Sequence, residues 1–288
     1  MSYTKPAEVI DLMIQSGTVK IKLSASDLLI RSTLSGAILG FGTTLAVTAT
    51  VQSGSGILGA AIFPACFIIV VLLGLELVTG SFAILPAAYF DKKISMGAMI
   101  KNLLLVFGGN LLGALLYAFL FWISLTNMGS SNSNALVPAI IKIAEAKTTG
   151  YAQYGVAGMI TVFTKGILCN WMVTLGVVLF LTSSSASGKI IAAWLPIFIF
   201  FAQGFEHAVV NMFVIPAGMM LGAKVSFGDW WIYNQLPVTL GNIAGGVIFT
   251  ALALYLTYKE KVIPAKEIEI TDSKTVLMEK AGYQRLEV

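Results

Sequence analysis

Apolar residues run along this chain in blocks far longer than a strand. Six blocks stand near 28–52, 57–90, 101–126, 154–182, 190–222 and 234–258. Each is long enough for the ~20 helical residues that cross a hydrocarbon core. Polar stretches punctuate them, such as Ser130 to Asn134 and TSSSASGK over 182–189. The pattern predicts an all-α chain of six spanning helices. Blocks 57–90 and 190–222 are too long for one span and turn polar in the middle. They match when written against each other. Gly74-Leu75-Glu76-Leu77 answers Gly204-Phe205-Glu206-His207, with a proline ten residues after each acid, Pro86 and Pro216. Earlier prolines, Pro64 and Pro196, answer as well. The block that follows in each half carries Gly-Asn-x-x-Gly, at Gly109–Gly113 and Gly241–Gly245.

The match implies two halves of three helices each. An odd number of spans per half makes the halves insert in opposite directions, as inverted repeats, with the second and fifth helices broken at the midplane. Paired Gly/Pro interruptions at matching positions point to a substrate site there. Unwound backbone is tolerated inside a membrane only where protein or a wet cavity surrounds it. The expected role of Glu76 and Glu206 is loop support, accepting hydrogen bonds from freed N–H groups. Direct proton transfer by a glutamate is the alternative. His207, the only histidine, is an ionisable group inside a span and so a candidate for substrate handling. The bland alternative is a histidine that bonds a neighbouring helix. Thr79, in the first break, is its natural partner across the pseudo-two-fold axis. The broken helices aim N-termini inward, where anions are favoured.

Composition sharpens the class. Apolar residues make up 57% of the chain and charged residues only 11%, against about 25% charged in soluble domains. Mean hydropathy is +0.86. Three regions are expected: an amphipathic N-terminal segment (1–27), a six-helix pore domain (28–258) and a C-terminal tail (259–288). The start, MSYTKPAEVIDLMIQ, has acids where a leader peptide would be apolar, so no cleavable leader is expected. With six spans, both termini share a side. That side collects Lys5, Lys20, Lys22, Arg31, Lys92, Lys93, Lys101, Lys189 and the bases from Lys259 to Arg285. The other keeps Lys142, Lys147, Lys165 and Lys224. The positive-inside rule puts both termini in the cytoplasm of a cell-membrane protein. The net charge of +4 is therefore topology, and no nucleic-acid partner is expected. Cys66 and Cys169 have neither disulfide nor metal-ligand spacing. No metal, cofactor or catalytic group is expected.

Lys165 sits near the outer end of the fourth block. It reads either as a snorkelling anchor or as an electrostatic lure for an anion. Asn170 and Asn242 lie in the fourth and sixth blocks, as pore lining or as helix glue. PAEVIDLMIQSG predicts a short helix with Val9, Leu12 and Met13 on one face, lying on the membrane surface or plugging the inner mouth. The spacings Gly36-x-x-x-Gly40, Gly109-x-x-x-Gly113 and Gly241-x-x-x-Gly245 fit close helix packing.

Four stretches resemble one family. GLELVTG is similar to its G-[AS]-[DE]-L-F-T-[GS] loop, and LCNWMVTLGV to its CNWLVCLAV segment. GFEHAVVNMFVIPAG resembles GFEHSIANMFMIPMG, and PVTLGNIAGG resembles its last-helix signature. This is the formate/nitrite transporter family, and the resemblance covers about residues 7–258. It implies an aquaporin-like fold and a homopentamer in membrane lipid, each protomer with its own pore for small monovalent anions. It carries the family's central pair onto Thr79 and His207. The outer apolar slit falls on Phe63, Val173 and Phe200, the inner one on Phe67, Leu77 and Val78, and the family's asparagines on Asn170 and Asn242. Val78 departs from the family's usual phenylalanine, and Gln203 stands where serine is common.

The expected function is a channel or transporter for the anion of a small weak acid. Formate ranks first, and nitrite or hydrosulfide is the alternative. His207, oriented by Thr79, protonates the anion in passage, or stays neutral and only donates a hydrogen bond. A neutral-solute pore of the aquaporin type is the rival of another class, although paired Asn-Pro-Ala loops are absent. No nucleophile–base pair suggests an enzyme.

Overall fold

The computed structural model of the chain describes residues 3–259. The expected tail, 259–288, lies outside the described residues apart from Lys259. Among the described residues the secondary structure is helical, with one isolated bridge pair, Tyr3 and Ser183.

Four helices are long and apolar enough to cross a membrane: α2 (Ala25–Ser53), α5 (Met96–Thr126), α7 (Gly155–Leu181) and α10 (Phe227–Tyr258). The two blocks expected to break each form a pair of shorter helices. In the first half these are α3 (Gly56–Leu72) and α4 (Val78–Phe90). In the second they are α8 (Ala186–Ala202) and α9 (Ala208–Met220). Two further helices complete the set, α1 (Pro6–Lys20) and α6 (Leu136–Lys147). A one-turn helix, Thr149–Ala152, joins α6 to α7.

Helices stop and start where the sequence gives a local reason. Ser24, Ser95 and Ser185 accept from the backbone N–H three residues on and so cap α2, α5 and α8. Gly54, at φ 70°, ends α2 in the left-handed region that glycine occupies without steric cost. The small-residue spacings act as expected. A Cβ on Gly113 would strike the Thr33 carbonyl, and one on Gly245 the Ile167 carbonyl. So α5 seats on α2, and α10 on α7, at backbone distance.

Neither α1 nor α6 is peripheral. Val9, Ile10, Met13 and Ile14 of α1 are buried with Ala83, Ile84 and Ala87 of α4. Leu12, expected on the apolar face, is only half-buried, and Ile10 takes that place. In the same way Val137, Ile140 and Ala144 of α6 are buried, and Ala144 abuts Gly218 of α9. The main core joins α2, α3, α5, α8 and α9 through Leu39, Phe67, Tyr117, Phe200 and Phe213. Outward, Leu104, Leu112, Ile160, Ile191 and Leu240 each leave more than half their surface exposed. Bare apolar flanks around a core with buried Asn, Thr and Glu suit a hydrocarbon solvent.

The helix α10 is not regular. It loosens into π turns at Trp231–Gln235 and Val247–Leu252. The first turns two consecutive polar residues, Asn234 and Gln235, into full burial.

Candidate functional site

The two helix breaks have the same backbone. Gly74 and Gly204 sit at φ 62° and 63°. Gly74 N–H donates to the Val71 carbonyl and Leu75 N–H to Val70; Gly204 N–H donates to Phe201 and Phe205 N–H to Phe200. This Schellman pattern closes the last turns of α3 and α8. The chain then runs extended to Leu77 (φ −119°, ψ 119°) and His207 (φ −108°, ψ 119°), where α4 and α9 begin.

Asparagines brace both loops. Val78 N–H donates to Asn110 Oδ1 at 2.9 Å, and Asn110 Nδ2 donates to the Glu76 carbonyl at 2.9 Å. Ala208 N–H donates to Asn242 Oδ1 at 2.9 Å, and Asn242 Nδ2 donates to the Glu206 carbonyl at 2.9 Å. Asn110 and Asn242 lie inside α5 and α10, so a neighbouring continuous helix supplies what the broken helix lost. Asn170 adds a tie: its Nδ2 donates to the carbonyls of Thr79 (3.1 Å) and Asn242 (2.7 Å). Of the two roles expected for Asn170 and Asn242, these bonds are those of glue.

That bracing corrects the expected role of the glutamates. The Glu76 and Glu206 carboxylates do not take up freed loop N–H groups; each pairs with a lysine at the end of α1 or α6. Lys20 Nζ meets Glu76 Oε2 at 2.5 Å, and Lys147 Nζ meets Glu206 Oε2 at 2.8 Å. Both carboxylates are nearly fully buried, and a buried carboxylate needs a counter-charge more than it needs a loop amide. Glu206 also accepts from Tyr151 Oη and Asn211 Nδ2, both at 2.8 Å, and from Asn234 Nδ2 at 3.4 Å. Sequence reasoning missed Lys20, Lys147, Tyr151, Asn110, Asn211 and Asn234. The Gly-Asn-x-x-Gly match held a signal for Asn110. The ion pairs had none, since they join positions 56 and 59 apart.

Thr79 and His207 do meet. Thr79 Oγ1 lies 3.1 Å from His207 Nε2, and both residues are buried. His207 caps its own helix: Val210 N–H donates to its Nδ1 at 3.2 Å. With Nδ1 accepting, the neutral ring carries its proton on Nε2, which then donates to the Thr79 hydroxyl. Phe200 stacks on the imidazole, with centroids 5.6 Å apart and planes 21° apart.

Two cavities approach the breaks. The first, about 410 Å³, is lined by Lys20, Arg31, Phe67, Glu76, Leu77 and Ser81, among others. The second, about 460 Å³, is lined by Lys142, Lys147, Phe200, His207, Val210 and Val214, among others. Each wall carries one base beyond its ion-paired lysine, Arg31 in the first and Lys142 in the second. Of the expected slit residues, Phe67 and Leu77 face the first cavity and Phe200 the second. Phe63, Val78 and Val173 are buried and line neither. Phe63 stacks on Phe201 at 4.0 Å and meets Phe200 edge-on at 5.8 Å. Lys165 lies outside both walls, its ammonium 5.5 Å from the Tyr151 ring centre. Its carbonyl accepts from Glu206 N–H at 3.3 Å. No group of metal-ligating side chains occurs among the described residues.

With that geometry in place, the likenesses to known proteins become informative. The profile described as formate/nitrite transporter matches residues 7–256. A Bacillus subtilis transporter, YrhG, is 35% identical over 275 residues, covering 93% of this chain and 99% of that protein. The formate channel BtFdhC of Bacillus thuringiensis is 32% identical over 91% of this chain and 98% of its own length. The formate channel FocA of Escherichia coli is 30% identical over 74% and 79%. Among solved structures, an FNT family ion channel superposes with a TM-score of 0.75 at 27% identity, over 86% of this chain and 98% of that one. A pentameric formate channel with formate bound superposes at 0.67 and 25% identity, over 81% and 97%.

Proposed function

The chain belongs to the formate/nitrite transporter family of integral membrane proteins, and we propose that it conducts the anion of a small weak acid, formate first, between the two cavities past Thr79 and His207. The observation that carries this reading is the Thr79–His207 hydrogen bond at the junction of two broken helices. Both cavities end near it on apolar walls, and both are lined with bases. The formate channels among its relatives, and a neighbour that binds formate, favour formate over nitrite or hydrosulfide.

On this reading α3–α4 and α8–α9 are each one broken span. The six spans form two inverted three-helix repeats, and the breaks lie near the midplane. The matched bonding at Gly74 and Gly204, and at Asn110 and Asn242, supports the repeat. Helices α1 and α6 join it as paired braces. The lysine distribution puts both termini in the cytoplasm, so the Lys20 cavity opens inward and the Lys147 cavity outward. Exposed apolar flanks provide the surface for lipid and for a homopentamer like that of the formate-bound neighbour.

A bare anion at the centre of a membrane costs several kcal/mol. Lys142 and Arg31 offset that cost in the cavities, with Lys165 adding to the positive field behind Tyr151. The N-termini of α4 and α9 offset it at the junction. There the anion accepts from Thr79 Oγ1–H or His207 Nε2–H. Phe67 and Leu77 on one side, and Phe200 on the other, exclude a hydration shell. Phe63, Val78 and Val173 back these walls.

Two versions of the passage differ in the histidine. In the relay version His207 hands a proton to the anion and the neutral acid moves on. That needs an imidazolium, so Nδ1 must give up the Val210 bond, worth about 1 kcal/mol. In the channel version the ring stays neutral and only donates. The Val210 N–H pointing at Nδ1 favours the channel version. The test is formate flux into proteoliposomes under a set pH gradient, for the wild type and for His207→Asn. Loss of flux without proton coupling in the wild type supports the channel version. Proton-coupled flux that His207→Asn uncouples supports the relay. Wild-type flux of water or glycerol without formate would overturn both in favour of a neutral-solute pore.

A further inference from the structure

The two ion-pair clusters match position by position, apart from Tyr151, which donates to Glu206 Oε1 and has no counterpart on Glu76 among the described residues, and the residue five places after each acid. Lys20 pairs with Glu76, and Asn102 Nδ2 donates to the Lys20 carbonyl at 3.2 Å. Lys147 pairs with Glu206, and Asn234 Nδ2 donates to the Lys147 carbonyl at 2.8 Å. In the second cluster Asn211 lies five residues after the glutamate. Its amide bridges the Glu206 carboxylate and Asn234 Oδ1, both at 2.8 Å. Five residues after Glu76 stands Ser81, whose side chain is too short to bridge.

The consequence is visible in the bonding. Ser81 Oγ and Asn102 Oδ1 are both fully buried, and neither has a hydrogen-bond partner among the described residues. Among the described residues the Glu76 carboxylate is met by Lys20 alone. In the second cluster Asn234 Oδ1 and both Glu206 oxygens are partnered, and Asn211 Oδ1 is the one buried polar atom left over. Orphaned buried polar atoms are rare and carry a cost. Two orphans at the positions that answer Asn211 and Asn234, which bond one another in the second cluster, point to a small ligand between them.

We propose that the Lys20 cluster binds one ordered water in the place that the Asn211 amide takes in the Lys147 cluster. The water donates to Asn102 Oδ1 and to the Glu76 carboxylate, and accepts from Ser81 Oγ–H. That gives it three bonds, the usual number for a buried water. A monovalent cation suits the same oxygens, but the Lys20 ammonium on Glu76 Oε2 opposes a second positive charge there. Ser81 and Glu76 also face the first cavity, so the molecule exchanges with it. The Lys147 pair is locked by covalently attached partners. The Lys20 pair is closed by a removable one and opens more readily.

The experiment is a map that resolves ordered water, for the wild-type protein, Ser81→Asn and Asn211→Ser, with thermal unfolding of each. The expected wild-type result is a peak within hydrogen-bond distance of Ser81 Oγ and Asn102 Oδ1. Ser81→Asn replaces the peak with its own amide and raises the unfolding temperature. Asn211→Ser gains a peak beside Asn234 Oδ1 and lowers it. Three results would overturn the proposal. One is a wild-type map in which Ser81 or Asn102 turns to a protein partner with no peak between them. Another is a peak that survives Ser81→Asn. The third is an unfolding temperature that follows the identity of the monovalent cation, which would make the ligand an ion. These readouts need no transport, so they stand or fall apart from the choice of substrate.

Discussion

The loops at 73–77 and 203–207 share a left-handed glycine, a Schellman closure, an asparagine brace and an ion-paired glutamate. They differ at the last residue. Leu77 presents an apolar side chain to one cavity, whereas His207 presents a ring that caps its own helix and reaches Thr79. The shared features are what a membrane demands of any broken helix. The difference is what the chain adds once that demand is met. Likeness between halves thus marks support, and unlikeness marks function.

Breaking the support has the largest effect. Asn242→Leu strands Ala208 N–H and the Glu206 carbonyl and removes a second donor from the Gly166 carbonyl. At about 1–3 kcal/mol for each buried group, the variant is expected not to accumulate as folded protein, and size-exclusion chromatography after detergent extraction checks this. Asn110→Leu is expected to fail in the same way. If one half tolerates the change, the two breaks are not equivalent supports.

Next come the ion pairs. Lys147→Met leaves Glu206 buried and uncompensated, and a loss of about 3–5 kcal/mol is expected. The double variant Lys147→Met/Glu206→Gln is expected to regain part of it. Lys20→Met is expected to cost less, because Glu76 lines the first cavity, where water can solvate the stranded carboxylate, whereas Glu206 lines neither cavity. Thermal unfolding in one detergent ranks the three, and an equal cost for Lys20 and Lys147 would erase the asymmetry between the clusters.

The histidine tests the difference directly. His207→Leu copies the other half. Losing a buried hydrogen bond to the passing anion, about 1.5–3 kcal/mol, slows flux roughly ten- to a hundredfold. The protein is expected to remain folded. Thr79→Val is expected to act alike and Thr79→Ser to stay near wild type. Formate uptake by proteoliposomes measures all three.

The smallest effect is reserved for Lys165. Its stacking on Tyr151 is worth about 0.5–1 kcal/mol, and it lies outside the cavity wall. Lys165→Gln is expected to change initial flux less than Lys142→Gln does at low ionic strength, and the reverse order would return the luring role to Lys165.

The breaks were legible in the sequence because their causes are local. A glycine that ends a helix, an apolar block too long for one span and a proline ten residues past an acid are all written within one stretch. Repetition in the second half turned that pattern into a prediction. The Thr79–His207 pair was legible through symmetry and resemblance, since the two positions follow equivalent loops. The glutamates were found, but their role was misread: the lysines that meet them arrive from α1 and α6, helices that the apolar pattern set aside as surface or loop. Asn110 went unnamed as a brace because its Gly-Asn-x-x-Gly frame explains itself by packing. The capping role of His207 depends on one ring orientation, which no spacing fixes. The sequence alone determined where the backbone must leave the helix, because hydrogen-bond accounting in a membrane is severe and local. Only the tertiary structure decided which side chains meet the freed groups and buried charges. Those partners stand tens of residues away, and packing alone brings them within 3 Å.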